Sequence, residues 1–191
     1  MGLCVAAGTL YVCDFHNHRV VVLGIDLSWR YTIGREGGGR GSSAGEFSCP
    51  SGVAAHGDEL YVVDCNNCRV QARRPRLAAP NPARHTPHCL PRQVFAPDRH
   101  GRMRFARKFG SEGTAPGQFK DPAGIVIMRG LPVVAEAGGS RLQVLSPVGA
   151  PLQVMPFGSD VAGLCTDGQN LWVTDASQHC VHVLKVKGAT R

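Results

Sequence analysis

The stretch "LYVCDFHNHRVVVL" (residues 10–23) decides the fold of this chain. Two apolar runs flank the polar segment 14–19, which holds an aspartate, two histidines, an asparagine and an arginine. Apolar or alternating runs of this length are typical of partly buried β-strands. The polar segment is therefore either a catalytic or metal site, or the turn that joins two strands.

The same pattern returns three times along the chain. The copies are "LYVVDCNNCRVQ" (60–71), "LPVVAEAGGSRLQVL" (131–145) and "LWVTDASQHCVHVL" (171–184). A short apolar run precedes every copy, and glycine-rich segments lead into the second and the third. Such self-similarity is the sequence signature of a repeat architecture.

The spacing of the copies is regular except at one place. The acidic residues Asp14, Asp64, Glu136 and Asp175 are separated by 50, 72 and 39 positions. Removing the Pro- and Arg-rich residues 72–93 would shorten the long interval to 50 and would join "CRVQ" to "VFAPD" as one strand. We predict that this segment is an insertion, either a surface loop without regular structure or an intron retained in the translated gene.

Each unit is predicted to contain four antiparallel strands. Three short strands are followed by a more variable fourth, at "WRYTIG" (29–34), "RFARKFG" (104–110) and "LQVMPFG" (152–158). Four strands per 39 to 50 residues indicate the blades of an all-β propeller. The predicted units are about 1–34, 35–110, 111–158 and 159–191.

The units resemble NHL repeats. The resemblance is carried by "PSGVA" with "LYVVDCNNCRVQ", by "DFHNHRVVVL", and by the linker-like "RKFGSEGTAPGQFKDPAGI" (107–125). Departures occur at Glu136, at Cys68 and at Cys180, where the repeat usually has Asp, His and Arg. The resemblance implies a ring of about six blades, so that four units would be incomplete or would close by self-association.

The polar corner is interpreted as turn chemistry. Asp14 ends one strand and Arg19 begins its antiparallel partner, so that a hairpin brings them together, with Asn17 in the turn. Recurrence in four copies favours architecture over catalysis. The positions assigned to these repeated turns are Asp14, Asn17, His18, Arg19, Asp64, Asn67, Arg69, Glu136, Arg141, Asp175 and His179.

No catalytic residue, cofactor or metal site is predicted. Cys65 and Cys68 have zinc-like spacing but lack a second pair, and His16 with His18 supplies only two ligands. Lactonase-like and lyase-like propeller enzymes hold a metal with several inward-facing ligands. Here the innermost strands offer little beyond His56 and Asp167.

The function expected from the resemblance is protein binding, including substrate recruitment next to a tripartite-motif ubiquitin ligase. The chain itself has no RING pattern. Single-stranded RNA binding is the alternative, since the net charge is +7 and ten arginines lie between Arg69 and Arg107. The residues assigned to this basic face are Arg99, Arg102, Arg104, Arg107 and Lys108.

The sequence shows neither a secretory signal nor an apolar run long enough to span a bilayer. We therefore expect a cytoplasmic protein without a membrane partner. The eight cysteines are expected to be mostly reduced.

Overall fold

The computed structural model of the chain describes residues 2–75 and 103–185. Consecutive strands pair antiparallel into four separate sheets, or blades. Blade 1 contains β1 (Leu3–Ala6), β2 (Thr9–Asp14), β3 (Arg19–Gly24) and β4 (Trp29–Gly34). Blade 2 contains β5 (Pro50–His56), β6 (Glu59–Asp64), β7 (Arg69–Pro75) and β8 (Met103–Phe109). Blade 3 contains β9 (Pro122–Met128), β10 (Leu131–Glu136), β11 (Arg141–Leu145) and β12 (Pro151–Pro156), and blade 4 contains β13 (Val161–Thr166), β14 (Asn170–Asp175) and β15 (Cys180–Lys185).

The predicted all-β propeller of about four blades is confirmed. The only helical segments in the described residues are single 3-10 turns, at Phe15–Asn17 and Cys65–Asn67. None of the described helices is long and apolar enough to cross a membrane.

Strand β7 extends beyond residue 72, where the predicted insertion begins. It continues through Pro75, and Arg73 pairs with Leu60 on one side and with Phe105 on the other. The first four residues of the predicted insertion are thus strand, because β8 offers them a partner edge. Residues 76–93, and with them the predicted junction to "VFAPD", lie outside the described residues.

Adjacent blades pack face to face through apolar side chains. Between blades 1 and 2, Val20 and Val22 meet Leu60 and Val62 in one buried cluster that also takes in Phe47. Phe47 comes from the segment that links the two blades. The cluster between blades 2 and 3 has Phe119 of the next linker in the same place.

Blades 3 and 4 pack in the same manner. Leu142 and Ala135 of blade 3 join Val161, Leu171 and Val173 of blade 4 in a third buried cluster. Every junction between consecutive blades thus buries aliphatic side chains, which is the main source of stability in a stacked repeat.

Glycines on the innermost strands allow the blades to approach closely. A Cβ on Gly2 would come within 2.8 Å of the Cα of Gly52, and one on Gly52 within 2.9 Å of the carbonyl oxygen of Ala123. A Cβ on Gly124 would overlap the carbonyl oxygen of Ala162 in blade 4.

Gly163 is the corresponding residue of blade 4, and its surroundings differ. Within the described residues, a Cβ there would meet only the side chain of Thr174, in its own blade. No strand of blade 1 therefore occupies the place that the next blade takes at Gly2, Gly52 and Gly124.

The two outermost blade faces are apolar and exposed. Leu3 and Val5 of blade 1 are 64% and 57% exposed, and Val181 and Val183 of blade 4 are 57% and 55% exposed. We call the side of blade 1 formed by Leu3, Val5, Leu10 and Val12 the first-blade face, and the side of blade 4 formed by Trp172, Val181 and Val183 the last-blade face. The strand register makes these residues equivalent to Val53, Ala55, Leu60 and Val62 in blade 2, and to Tyr11, Val20 and Val22 in blade 1.

Replacing Gly124 by Ala should destabilise the fold by about 3 kcal/mol, because the new Cβ must push the backbone of blade 4 away. Urea denaturation followed by circular dichroism measures the change. Gly163→Ala, measured in dilute monomeric protein, is the matched control and should cost less than about 1 kcal/mol, because the Thr174 side chain can rotate. Equal losses in both variants would contradict the close approach of blades 3 and 4.

Candidate functional site

A buried carboxylate lies at the corner of blade 2, where β6 ends. The Asp64 side chain is fully buried and accepts four hydrogen bonds. One Asp64 oxygen accepts from the backbone N–H of Ser48 at 2.6 Å. The other accepts from Arg69 Nε at 2.7 Å, Asn67 Nδ2 at 2.9 Å and Gln71 Nε2 at 3.0 Å. The predicted Asp–Arg contact is therefore part of a larger, dry network.

This corner of blade 2 binds the linker that arrives from blade 1. Arg69 donates to the carbonyl oxygens of Ser42 at 2.7 Å and of Glu46 at 3.1 Å. Gln71 donates to the same Glu46 carbonyl at 2.6 Å and accepts from the N–H of Gly45 at 3.0 Å. The corner thus supplies hydrogen-bond partners for backbone groups that a buried loop would otherwise leave unsatisfied.

Blade 3 repeats the arrangement with glutamate in place of aspartate. Glu136 accepts from Arg141 Nε at 2.8 Å, from Gln143 Nε2 at 2.6 Å and from the backbone N–H of Lys120 at 2.8 Å. Arg141 and Gln143 both donate to the carbonyl oxygen of Gln118, in the linker from blade 2. The longer glutamate side chain therefore serves the same purpose.

In blade 1 the described residues show the contacts within the hairpin. Arg19 Nε donates to Asp14 at 2.8 Å, as does Asn17 Nδ2. The Arg19 side chain is 43% exposed, and Val21 stands where blades 2 and 3 have Gln71 and Gln143. Although partial burial opposes ionisation, the hydrogen bonds from Arg19 and Asn17 hold the pKa of Asp14 below its ordinary value.

Blade 4 keeps the buried carboxylate but changes its partners. Asp175 accepts from the hydroxyl of Ser159 at 2.5 Å and from the N–H of Gln178 at 2.8 Å. His182 Nε2 lies 3.1 Å from the same carboxylate, at the position of the glutamines, and Cys180 stands where the other blades have arginine. The Ser159 hydrogen bond is the main cause that lowers the pKa of Asp175.

Asn17 lies in the turn, and the residue after it has the left-handed conformation. The positive φ angles belong to His18 and, in the other blades, to Cys68, Ser140 and His179, at 55°, 47°, 47° and 53°. Asn17 instead donates its amide to Asp14, which explains why an amide recurs at that position in blades 1 and 2.

The innermost strands surround an axial cavity of about 310 Å³. Its lining residues in the described part of the chain are apolar or small, among them Leu3, Val53, Ala123 and Leu164. The hydroxyl of Ser51 faces the carbonyl of Pro122 at 3.1 Å. Because no titratable side chain of the described residues lines this cavity, it offers neither an acid, a base nor a metal ligand there.

The histidine and aspartate that the sequence placed near the axis lie elsewhere. His56, at the end of β5, is exposed and does not line the cavity. Asp167 accepts hydrogen bonds from the backbone N–H groups of Gln169 and Asn170, and these bonds lower its pKa. Asp167 therefore shapes the β13–β14 turn.

The cysteine and histidine pairs lie in the first two corners, where they contact neighbouring groups of the fold. Burial raises the pKa of the Cys65 thiol to about 11 and also raises that of Cys68, so that both remain protonated at neutral pH. His18 accepts from the backbone N–H of Cys49 at 3.1 Å, whereas His16 packs edge-on against Phe15. Neither pair belongs to a group of three ligating atoms in the described residues.

Most described arginines of the basic stretch have structural roles. Arg107 forms two hydrogen bonds of 2.7 Å with the carboxylate of Glu59. Arg73 is 5% exposed and its guanidinium stacks on Phe47 at 5.2 Å. Arg104 and Lys108 are exposed on β8, while Arg99 and Arg102 lie outside the described residues.

The family model of the NHL repeat matches residues 2–23 and 47–72. Both matched segments lie in the first two blades. Each match runs from the innermost strand into the third strand, and so includes the carboxylate and arginine of the corner. No curated protein sequence matches the chain.

Similar solved structures share the propeller fold at low identity. A gluconolactonase from Xanthomonas campestris is 16% identical, with a TM-score of 0.62 over 96% of this chain and 55% of its own. BamB from Moraxella catarrhalis is 9% identical, with a TM-score of 0.57 over 96% of this chain and 42% of its own. This chain therefore spans about half the length of these two proteins. The computationally designed protein Ika4 is 10% identical, with a TM-score of 0.54 over 97% of this chain and 90% of its own.

Arg141→Met should lower the free energy of unfolding by about 3 kcal/mol, because it leaves the fully buried Glu136 without its cation. Arg19→Met is the matched control in blade 1, where the same pair is partly exposed, and should cost less than about 1 kcal/mol. Urea denaturation of both variants measures the difference. A loss at Arg19 as large as that at Arg141 would show that the linker adds nothing to the corner.

Proposed function

We propose that this chain is a non-catalytic protein-binding module. The support lies in what its surfaces offer. The axial cavity has no titratable lining among the described residues, whereas two apolar blade faces are exposed to solvent. The gluconolactonase-like fold does not alter this proposal, because a shared fold does not carry an activity with it.

The exposed blade faces are the observation that carries the proposal. Val20 and Val22 are completely buried against blade 2, whereas the equivalent Val181 and Val183 of blade 4 are more than half exposed. Solvent-exposed aliphatic side chains grouped on one sheet face mark an interaction surface. The partner must therefore present a flat, apolar β-sheet.

A second copy of this chain has such a surface. The last-blade face of one copy corresponds to the side of blade 1 that packs on blade 2, and the first-blade face corresponds to the side of blade 2 that receives it. Head-to-tail contact between two copies would repeat an interface that already exists inside the chain. Two such contacts related by a two-fold axis close into a ring.

The wider role follows from the NHL resemblance. A closed ring with exposed loops would recruit other proteins, as substrate-recruiting propellers do beside tripartite-motif ubiquitin ligases. The catalytic part of a ligase would then be supplied by another domain or partner. A cytoplasmic location fits this role.

Light scattering coupled to size-exclusion chromatography tests the self-association. The chain has a mass of 20.4 kDa, and we expect a species of twice this mass. Val183→Glu should raise the dimer dissociation constant by on the order of tenfold or more, because the contact would bury an unpaired charge. Val148→Glu is the control, since Val148 is 72% exposed in the loop after β11 and lies on neither face. A wild-type chain that stays monomeric at high concentration would overturn the second copy as partner.

RNA binding is the alternative, and Arg104 and Lys108 are the exposed cations on β8 that favour it. A contact limited to these two cations would release few counterions, which corresponds to weak binding of a poly(U) oligonucleotide and a slope of about −1.4 in a plot of log K against log salt. Fluorescence anisotropy at several salt concentrations measures the slope. Micromolar affinity with a slope beyond about −3 would favour an extended basic face and the RNA function.

A further inference from the structure

The corner of blade 4 contains a buried carboxylate that has lost its arginine. In blades 1 to 3 an arginine Nε lies 2.7 to 2.8 Å from the carboxylate. Cys180 pairs with Asp175 across the hairpin, just as Arg69 pairs with Asp64. The Asp175 side chain is nevertheless fully buried. A fully buried carboxylate needs a cation or strong hydrogen-bond donors nearby.

The residues that replace the arginine and the glutamine, Cys180 and His182, are both of types that can bind a metal. Asp175, Cys180 and His182 place one carboxylate oxygen, one sulfur and one nitrogen within 4.8 Å of one another. In the described residues no other group of three His, Cys, Asp or Glu side chains does so. Cys180 and His182 are two positions apart on β15, and Asp175 lies opposite Cys180 on β14, so all three point to one side of the sheet.

The separations of these atoms suit tetrahedral coordination. His182 Nε2 is 3.1 Å from the Asp175 oxygen and 3.4 Å from Cys180 Sγ. A tetrahedral zinc ion with bonds of about 2.0 Å to N and O and about 2.3 Å to S has edges of about 3.3 Å between N and O and about 3.5 Å between N and S. These two edges therefore need to change by only a few tenths of an ångström.

Neighbouring groups hold two of the three ligands in place. The Gln178 N–H and the Ser159 hydroxyl each donate to one oxygen of Asp175, which orients the carboxylate. The His182 ring packs edge-on against Phe157, with 4.9 Å between the ring centres. Such supporting contacts usually fix ligand orientation around a metal. Cys180 is exposed, so water can complete the coordination.

We propose that Asp175, Cys180 and His182 bind a divalent cation of the zinc class in the place of the missing arginine. The mixed oxygen, nitrogen and sulfur donors select such a metal over calcium or magnesium, which prefer oxygen ligands. Binding releases the thiol proton of Cys180 to solvent and requires neutral His182. The metal then supplies the positive charge that arginine supplies to the other three corners. This site lies apart from the two exposed blade faces and does not depend on the proposed function.

The competing explanation is that His182 only replaces the glutamine of the other corners. Gln71 and Gln143 also donate to the corner carboxylate, at 3.0 and 2.6 Å. In that case the thiol of Cys180 would have no role, and His182→Gln would preserve the corner. Metal binding instead requires both Cys180 and His182.

Cobalt(II) titration of the chelator-treated full chain tests the site. We expect one equivalent of Co²⁺ to produce a thiolate-to-cobalt absorption band in the near ultraviolet and d–d bands in the visible region, with displacement by Zn²⁺ and a higher Tm. Cys180→Ser and His182→Gln should each weaken binding by on the order of a hundredfold. Cys165→Ser is the control, because Cys165 is also exposed in blade 4 but lies outside the cluster, and it should bind metal normally.

Cys180→Arg tests whether the weaker cobalt binding of the other variants results from a loss of folding. This substitution restores the arginine of the other corners, so it should abolish the cobalt bands while raising the Tm of the metal-free chain. Cobalt bands that persist in Cys180→Ser or in His182→Gln would overturn the proposal, and so would their absence from the wild-type chain.

Discussion

In blades 2 and 3 a buried carboxylate joins the hairpin corner of the blade to the linker that precedes the blade. Asp64 accepts from its own hairpin through Arg69 and from the preceding linker through the N–H of Ser48. Removing any of these donors would leave a charge in a dry environment, which is costly. The linker and the hairpin corner therefore depend on one another. In blade 2 the same linker also places Phe47 in the junction between blades 1 and 2, so the corner helps to fix how these two blades pack.

The corner carboxylates of blades 1 and 4 have other partners than those of blades 2 and 3. Among the described residues, Asp14 of blade 1 accepts only from Asn17 and Arg19 of its own hairpin, the ion pair is partly exposed, and Val21 stands at the position of the glutamine. Blade 4 keeps a buried carboxylate, but Cys180 and His182 surround it. The corner chemistry thus differs between the blades, while the hairpin geometry stays the same.

The outer faces of blades 1 and 4 also differ from the faces between blades. Stacked repeats usually end in units whose outer side is polar, because nothing packs on them. Leu3 and Val5 of blade 1 and Val181 and Val183 of blade 4 are instead apolar and more than half exposed. A Cβ on Gly124 would overlap blade 4, whereas the corresponding space beside Gly163 is open in the described residues. Both features support the proposal that a second copy packs on these faces.

The sequence by itself determined the repeat, the all-β blades and the Asp14–Arg19 contact, because hairpin partners lie within one unit and recur with it. Only the tertiary structure decided which distant groups the polar side chains bind. The bonds from Gln71 to the linker and from Arg107 to Glu59 join residues 25 and 48 positions apart, which no local pattern records. The strand register likewise decides three further features. These are the left-handed conformation of His18, the extension of β7 to Pro75 and the grouping of His182 with Asp175. Local periodicity reports which strands form, whereas burial and hydrogen-bond satisfaction across units decide how their polar residues are used.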